Sequence, residues 1–156
     1  MSRNAIAIAD SIVEAINAKS DYSNGYSIAA NRRLMFNLKA DNEKIQSVRV
    51  DVVPVTYSAT AGARRLFDED HTTRVFVANR LPRDVGQNTF SESTCEEMFL
   101  LVEEIQTQII QYGEANTDKL RLMGGFSNDP MMDDEFAESG IFLSVTEFTH
   151  RTCREV

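Results

Sequence analysis

The stretch that decides the fold is Gly140-Ile-Phe-Leu-Ser-Val-Thr-Glu-Phe-Thr-His-Arg151, together with Thr73-Arg-Val-Phe-Val-Ala-Asn-Arg80 further upstream. Both runs are rich in β-branched and aromatic residues, which favour extended strands. A long amphipathic helix pattern lies between them. A strand near the end of the chain needs a pairing partner, because its backbone donors and acceptors cannot stay dry and unpaired. The sequence predicts an α+β fold: a mainly antiparallel sheet of about four strands packed against two amphipathic helices.

Two segments have the periodicity of amphipathic helices. In residues 4–18 apolar side chains recur on one side of a helix, with Asn4 as the predicted N-cap. In residues 94–112 they recur at spacings of three and four, Ser93 and Glu96 form a predicted capping box, and Gly113 supplies the stop. We expect the apolar stripe of this second helix to be a main part of the core.

The remaining segments predict strands and two long loops. Residues 48–55 show the clearest alternation of apolar and polar side chains, and residues 74–80 give another strand. Residues 26–38 are expected to be extended, and residues 120–123 to form a short strand or turn. In the last strand, Phe142 and Phe148 lie on the nominally polar side, so both of its faces are expected to be partly covered. The long loops are residues 58–73 and 124–139.

Length, composition and charge limit the classes of protein to which the chain can belong. A chain of 156 residues with 42% hydrophobic and 26% charged residues is typical of one folded domain, here residues 1–156. A net charge of -8 argues against a duplex-binding surface, which needs clustered Lys and Arg. No signal peptide and no membrane-spanning run are visible, so we expect synthesis and assembly in the cytoplasm. Cys95 and Cys153 lack metal-ligand spacing and are expected to be free thiols.

Several polar residues could take part in a catalytic or metal site, but the sequence does not show a complete one. His71 lies beside Asp68 and Asp70, a group that could begin a metal or acid/base site, but a solvated loop is the favoured interpretation. His150 is expected at a surface or an interface. The acidic run at residues 129–135 could bind a hard cation, yet its spacing does not match an EF-hand, so we expect a mobile acidic loop.

Two other classes of function stay open beside a structural one. The sequence has no phosphate-binding loop, dinucleotide fingerprint or nucleophile elbow. The strongest enzymatic alternative is a metal-dependent nuclease or hydrolase that uses Asp51, Asp68 and Glu69, and its weakness is the missing basic surface for substrate. A further alternative is a monomeric adaptor domain that binds a peptide along the terminal strand.

Charged residues provide candidates for contacts between subunits or with partners. Arginine can pair with a carboxylate through two parallel hydrogen bonds, although ordinary exposed arginines are an equally good interpretation. Copies of one chain that pair arginines with acidic groups head to tail can close into a ring. The candidates are Arg32, Arg33, Arg64, Arg65, Asp68, Glu69, Asp70, Asp133, Asp134 and Glu135.

In the order of its parts, the chain resembles the tail terminator, or tail-completion, proteins of long-tailed bacteriophages. The parts that follow this layout are a first helix at residues 5–18, strands at 48–55 and 74–80, a sheet-packed helix at 94–112 and a final strand at 141–151. The resemblance covers nearly the whole chain. It is one of layout and contains no diagnostic motif.

The resemblance implies a structural protein of the virion tail or neck, with no catalytic residues, cofactor or metal. Such proteins form a ring, commonly hexameric, that caps the finished tail tube, stops its polymerisation and presents a surface to the head-completion or neck protein. By position, the loops at residues 58–73 and 124–139 would contact the tube or neighbouring subunits. A negatively charged channel would let DNA pass without specific binding. Related neck or head-tail connector proteins are the alternative within the structural class.

Overall fold

A five-stranded mixed sheet organises the fold, and the predicted α+β class is confirmed. The computed structural model describes residues 3–36, 48–62, 66–84, 89–117 and 122–155. In chain order its elements are α1 (Arg3–Asn17), a short 3-10 helix (Ser23–Gly25), β1 (Ala30–Arg32), β2 (Arg49–Ala61), β3 (Leu66–Arg80), β4 (Arg83–Asp84), β5 (Thr89–Phe90), α2 (Glu92–Ala115), β6 (Leu122–Asn128), α3 (Asp134–Glu138) and β7 (Ile141–Glu155).

The sheet has the strand order β1-β2-β3-β7-β6. β1 runs parallel to β2, and the other neighbouring pairs in this sheet are antiparallel. β4 and β5 form a separate two-stranded ribbon. The strand predicted at residues 48–55 matches β2 from Arg49 onward, and the one predicted at residues 74–80 lies within β3. Of the segment predicted as extended over residues 26–38, only Ala30–Arg32 forms a strand, and residues 37–38 lie outside the described part of the chain.

The main core lies between one face of the sheet and helices α1 and α2. Alternate residues of β3 point to this face, including Val75 and Val77. The register places Phe142 and Phe148 of β7 opposite Asn79 and Thr73, so both phenylalanines point into the same core. Each fully buried large side chain contributes about 1.5–3 kcal/mol of transfer free energy. The predicted stripe of α2 is confirmed as core: Met98, Leu101, Val102, Ile105 and Ile109 are buried.

The opposite face of the sheet is covered at one end. Phe36 stacks on Phe76 of β3 with ring centroids 4.1 Å apart. Phe136 of α3 packs against the buried side chains of Ile141 and Leu143. Both faces of the first half of β7 are therefore covered, as its sequence predicts.

The helices begin at different residues from those predicted. The N-cap of α2 is Ser91, whose hydroxyl accepts a hydrogen bond from the backbone N–H of Thr94 at 3.4 Å. The capping box of Ser93 and Glu96 is wrong because both residues already lie inside the helix, and Asn4 likewise lies inside α1. Among the described helices, none is both long and apolar enough to cross a bilayer.

The prediction of two long loops is wrong. Residues 58–73 belong mostly to a β-hairpin, in which β2 continues to Ala61 and β3 begins at Leu66. Residues 124–139 comprise the end of β6, a bend at Pro130 and the helix α3. Asp133 caps α3 by accepting a hydrogen bond from the backbone N–H of Phe136 at 3.1 Å. The hairpin escaped prediction because residues 58–61 are small and exposed, and because the buried positions of β3 hold the polar Glu69 and His71. Neither strand therefore shows the apolar period of a packed strand.

Candidate functional site

The hairpin and the end of β7 form a three-stranded sheet, which we call the arm: residues 55–61 of β2, 66–73 of β3 and 148–155 of β7. We call the rest of these three strands, packed against α1 and α2, the body. In β2 the change is abrupt, because residues 50–53 are buried and residues 55–61 are all exposed. The register shifts between Pro54 and Thr56, so the arm begins at a strand irregularity.

A row of polar side chains lies on the face of the arm that continues the core face of the body. The register aligns Tyr57, His71 and His150 across the three strands, and it aligns Glu69 with Thr152 in the next row. Directly paired residues in an antiparallel sheet point to the same face, so these five side chains converge. We call them the polar cluster. Glu69, His71 and His150 are at most 1% exposed.

Hydrogen bonds centred on Glu69 join the polar cluster. One carboxylate oxygen of Glu69 accepts from the Tyr57 hydroxyl at 3.0 Å. The other lies 3.3 Å from Nε2 of His71 and accepts from the Thr152 hydroxyl at 3.3 Å. The Thr152 hydroxyl is also 3.2 Å from Nε2 of His71. A buried carboxylate needs such partners, because removal from water strongly disfavours its charge.

His150 is the incompletely satisfied member of the polar cluster. In the described part of the chain, neither of its ring nitrogens has a hydrogen-bond partner, and Nδ1 of His71 has none either. Burial, followed by the charge on nearby His71, lowers the pKa of His150 from 6.5 to about 4. Its imidazole is therefore neutral at neutral pH, packed beside the ring of Phe148 at a centroid distance of 6.4 Å.

The structure corrects the sequence interpretation of both histidines. The sequence predicts a solvated loop for His71 and a surface or an interface for His150, but both are buried within paired strands of the subunit. Asp68 and Asp70 do not join His71, because alternate residues of a strand face opposite sides of the sheet. Asp70 instead binds Arg151 across the outer face at 3.0 Å, and this hydrogen bond lowers the pKa of Asp70.

The residues of the alternative nuclease hypothesis do not converge on one site. Glu69 points to the core face, whereas Asp68 points to the other side of β3. Asp51 pairs in register with Phe76, near the opposite end of the same strand. Among the described residues, no group of three or more His, Cys, Asp or Glu side chains is placed to hold a metal ion. Cys95 is a free, buried thiol, as predicted.

Several predicted interface residues have partners inside the chain. Arg32 contacts Asp10 at 2.7 Å, and Arg33 contacts the buried Asp51 at 3.2 Å. Glu69 is enclosed by the polar cluster, so its carboxylate is not presented to another subunit. Arg32 and Arg33 remain exposed despite these ion pairs, whereas Glu69 does not reach the surface.

Two of the acidic candidates near α3 are accessible. Asp134 and Glu135 are exposed in the first turn of the helix, where negative side chains interact favourably with the helix dipole. Asp133 is occupied as the N-cap. The predicted mobile loop is thus a short capped helix. Arg64 and Arg65 lie outside the described residues.

Sequence reasoning missed Tyr57 and Thr152 as members of the polar cluster. A usable signal was present, because Glu69, His71 and Val75 share one face when β3 is extended back to residue 66 with a period of two. Recognising the cluster also required the pairing of His71 with His150, which are far apart in sequence. Local patterning does not specify such a long-range register.

The chain matches no protein-family model and no curated protein.

The terminal strand is not an open docking edge over most of its length. β7 pairs with β3 from residue 141 to residue 155. On its other side, it pairs with β6 between Thr146 and His150. The backbone of Val145 also bonds to Asp129 and Pro130. β6 therefore occupies part of the edge that the adaptor hypothesis requires, and no described strand pairs with residues 151–155 on that side.

Proposed function

We propose that this protein is a structural protein of a bacteriophage tail: a terminator that forms a ring, commonly hexameric, at the head-proximal end of the tail tube. It stops tube polymerisation and provides the joining surface for the head-completion or neck protein. The proposal is supported by the layout of the chain and by its α+β fold with α1 and α2 packed on one face of the sheet.

The observation that carries the proposal is the difference between body and arm. A terminator must match the end of the tube with one surface and present a different surface to the neck. The body is a sheet covered by helices, whereas the β2 side of the arm exposes seven consecutive strand residues. Two unlike surfaces in one small subunit suit a ring with two unlike faces.

The distribution of charge suits the same role. The chain has a net charge of -8, which would keep DNA from adhering to the channel of a ring. Asp134 and Glu135 provide an exposed acidic site for an arginine of a neighbouring subunit or partner. A head-to-tail contact of this kind is heterologous and can close into a ring. The assembled location is the virion tail or neck.

The experiment is light scattering coupled to gel filtration, followed by negative-stain imaging of any assembly. The expected result is a closed ring with a central hole, formed either in solution or at one end of added tail tubes. The proposal would be overturned if the protein stayed monomeric at all concentrations and did not bind to added tubes. Binding to isolated necks without binding to tubes would reassign the protein as a head-tail connector.

A further inference from the structure

Among the described strands, none pairs with the outer edge of β2 in the arm. β1 pairs with β2 only at residues 50–52, and β3 occupies the other side of β2. Within the described ranges, no strand pairs with β2 along residues 55–61, and every one of these residues is exposed. We call this segment the β2 edge; its sequence is Val55-Thr-Tyr-Ser-Ala-Thr-Ala61.

The closing bond of the hairpin shows which backbone groups point outward. The N–H of Gly62 donates to the carbonyl of Leu66 at 2.7 Å, so Gly62 faces β3. In an antiparallel pair, residues alternate between facing the partner strand and facing away. Ser58 and Thr60 therefore bond towards β3, and the backbone of residues 57, 59 and 61 points outward. This is the arrangement that accepts an additional strand.

Beyond the register irregularity between Pro54 and Thr56, the described part of the β2 edge lacks the charges and prolines that usually prevent such pairing. Natural edge strands are commonly protected by charged side chains, proline or a covering segment. Residues 55–61 contain no charge and no proline, although 26% of the chain is charged. On a protein with a net charge of -8, an uncharged edge is a place where two copies can approach without opposing like charges.

We propose that the β2 edge pairs with the β2 edge of a second copy, antiparallel and centred on Ser58. This register places Thr56 opposite Thr60, and the bulky Tyr57 opposite the small Ala59. In this register the odd-numbered residues of the two copies face each other. Their backbone N–H and C=O groups point away from β3 and can therefore bond between the copies. The two sheets would then continue through a two-fold axis with the strand order β7-β3-β2-β2-β3-β7, and the helices of both copies would lie on one face.

A second copy fits this edge better than a foreign segment. An acidic or basic segment would find no complementary charge along residues 55–61. The register centred on Ser58 is self-complementary in both side-chain size and backbone direction. The inference does not depend on the proposed tail function, because a two-fold contact is distinct from the head-to-tail contact that closes a ring. Within a ring, it would join two rings.

The first test is Ala59→Pro compared with the control Ala59→Val, measured by sedimentation equilibrium of the full chain. Proline removes the outward N–H of residue 59 and leaves the bonds to β3 in place, whereas valine keeps that N–H. We expect about tenfold or greater weakening of self-association for Ala59→Pro, since symmetry removes two hydrogen bonds, and little change for Ala59→Val. Equal self-association of both variants, or a wild-type monomer at all concentrations, would overturn the inference.

A cysteine pair tests the register and does not depend on the proline variant folding. In the proposed register, residue 58 faces itself, so Ser58→Cys is expected to give a disulfide-linked dimer on a non-reducing gel. Thr60→Cys faces Thr56 of the other copy and is expected to stay unlinked, as is the wild type. Equal cross-linking of both variants, or no cross-linking of Ser58→Cys, would overturn the register.

These tests separate the inference from the proposed function. Paired rings that persist unchanged with Ala59→Pro would leave the tail proposal standing and overturn the β2 edge contact, whereas paired rings that separate into single rings would support both. A dimer that depends on Ala59 but never forms a ring or binds a tail tube would do the reverse.

Discussion

The body and the arm use the same three strands for different purposes. On the core face of β3, the body presents Val75 and Val77 to the helices, whereas the arm presents Glu69 and His71. Apolar burial stabilises the body without regard to pH. Buried polar groups stabilise the arm only while their hydrogen bonds and protonation states are kept. The apolar core of the body is therefore insensitive to pH, whereas the polar cluster makes the arm sensitive to it.

The largest expected effect is in the body. Ile105→Ala removes a fully buried side chain of α2 and is expected to lower the free energy of unfolding by about 2–5 kcal/mol. Urea denaturation measures the change. The matched control is Leu100→Ala on the same helix, where the side chain is 52% exposed and the change should stay within about 0.5 kcal/mol. Equal losses for the two variants would contradict the assignment of the core face.

The next effect is a pH dependence that comes from the arm. The unfolded chain binds a proton at His150 with a pKa of 6.5, whereas the folded chain binds it only near 4. The unfolded state thus binds more protons between these values, and stability falls as the pH drops through this window, by about 3 kcal/mol in total.

The variant His150→Phe isolates this contribution. Unfolding measured from pH 7 to pH 4.5 should show a shallower loss of stability in the variant than in the wild type. The exposed carboxylates titrate in both proteins, so only the difference between the two curves is assigned to His150. Parallel curves would show that His150 is not buried in the folded protein.

A smaller and more local effect is expected at Glu69. Glu69→Ala removes the acceptor for Tyr57 and Thr152 and should destabilise the arm by about 1–3 kcal/mol. Hydrogen exchange should then accelerate in the arm and stay unchanged in α2. The control is Asp68→Ala on the exposed side of the same strand. Loss of protection throughout the sheet would contradict the separation of arm from body.

The smallest expected effect on folding is at the acidic site of α3. Asp134→Asn with Glu135→Gln should change stability by no more than about 1 kcal/mol, because each charge interacts only weakly with the helix dipole. In the proposed ring, this double variant should weaken assembly at low salt. Glu103→Gln with Glu114→Gln, on exposed positions of α2, is the charge-matched control. Identical assembly of the two double variants would remove α3 from the interface.

The sequence predicts the body well because local patterning determines it. The stripe of α2 and the alternation in residues 48–55 are local, and both appear where they were predicted. The predicted stop of α2 at Gly113 lies close to the observed end of the helix. Gly113 is buried in the last turn, and the helix ends at Ala115. Apolar periodicity thus locates elements even where caps are misplaced by a few residues.

The arm was not predicted because its determinants are long-range. Residues 58–61 have no apolar period, and Glu69 and His71 resemble solvated loop residues until β7 is aligned beside them. The burial of His150 follows from that same alignment. The ion pair of Asp70 with Arg151 likewise depends on the register and not on local sequence. Polar residues that become buried through pairing are the hardest to recognise from one chain.

The most direct test of the proposed role is to add this protein to tail tube subunits during polymerisation and to measure tube lengths by negative-stain imaging. The account predicts that tubes stop lengthening and carry additional density at one end only. Unchanged tube lengths with no density at either end would contradict it.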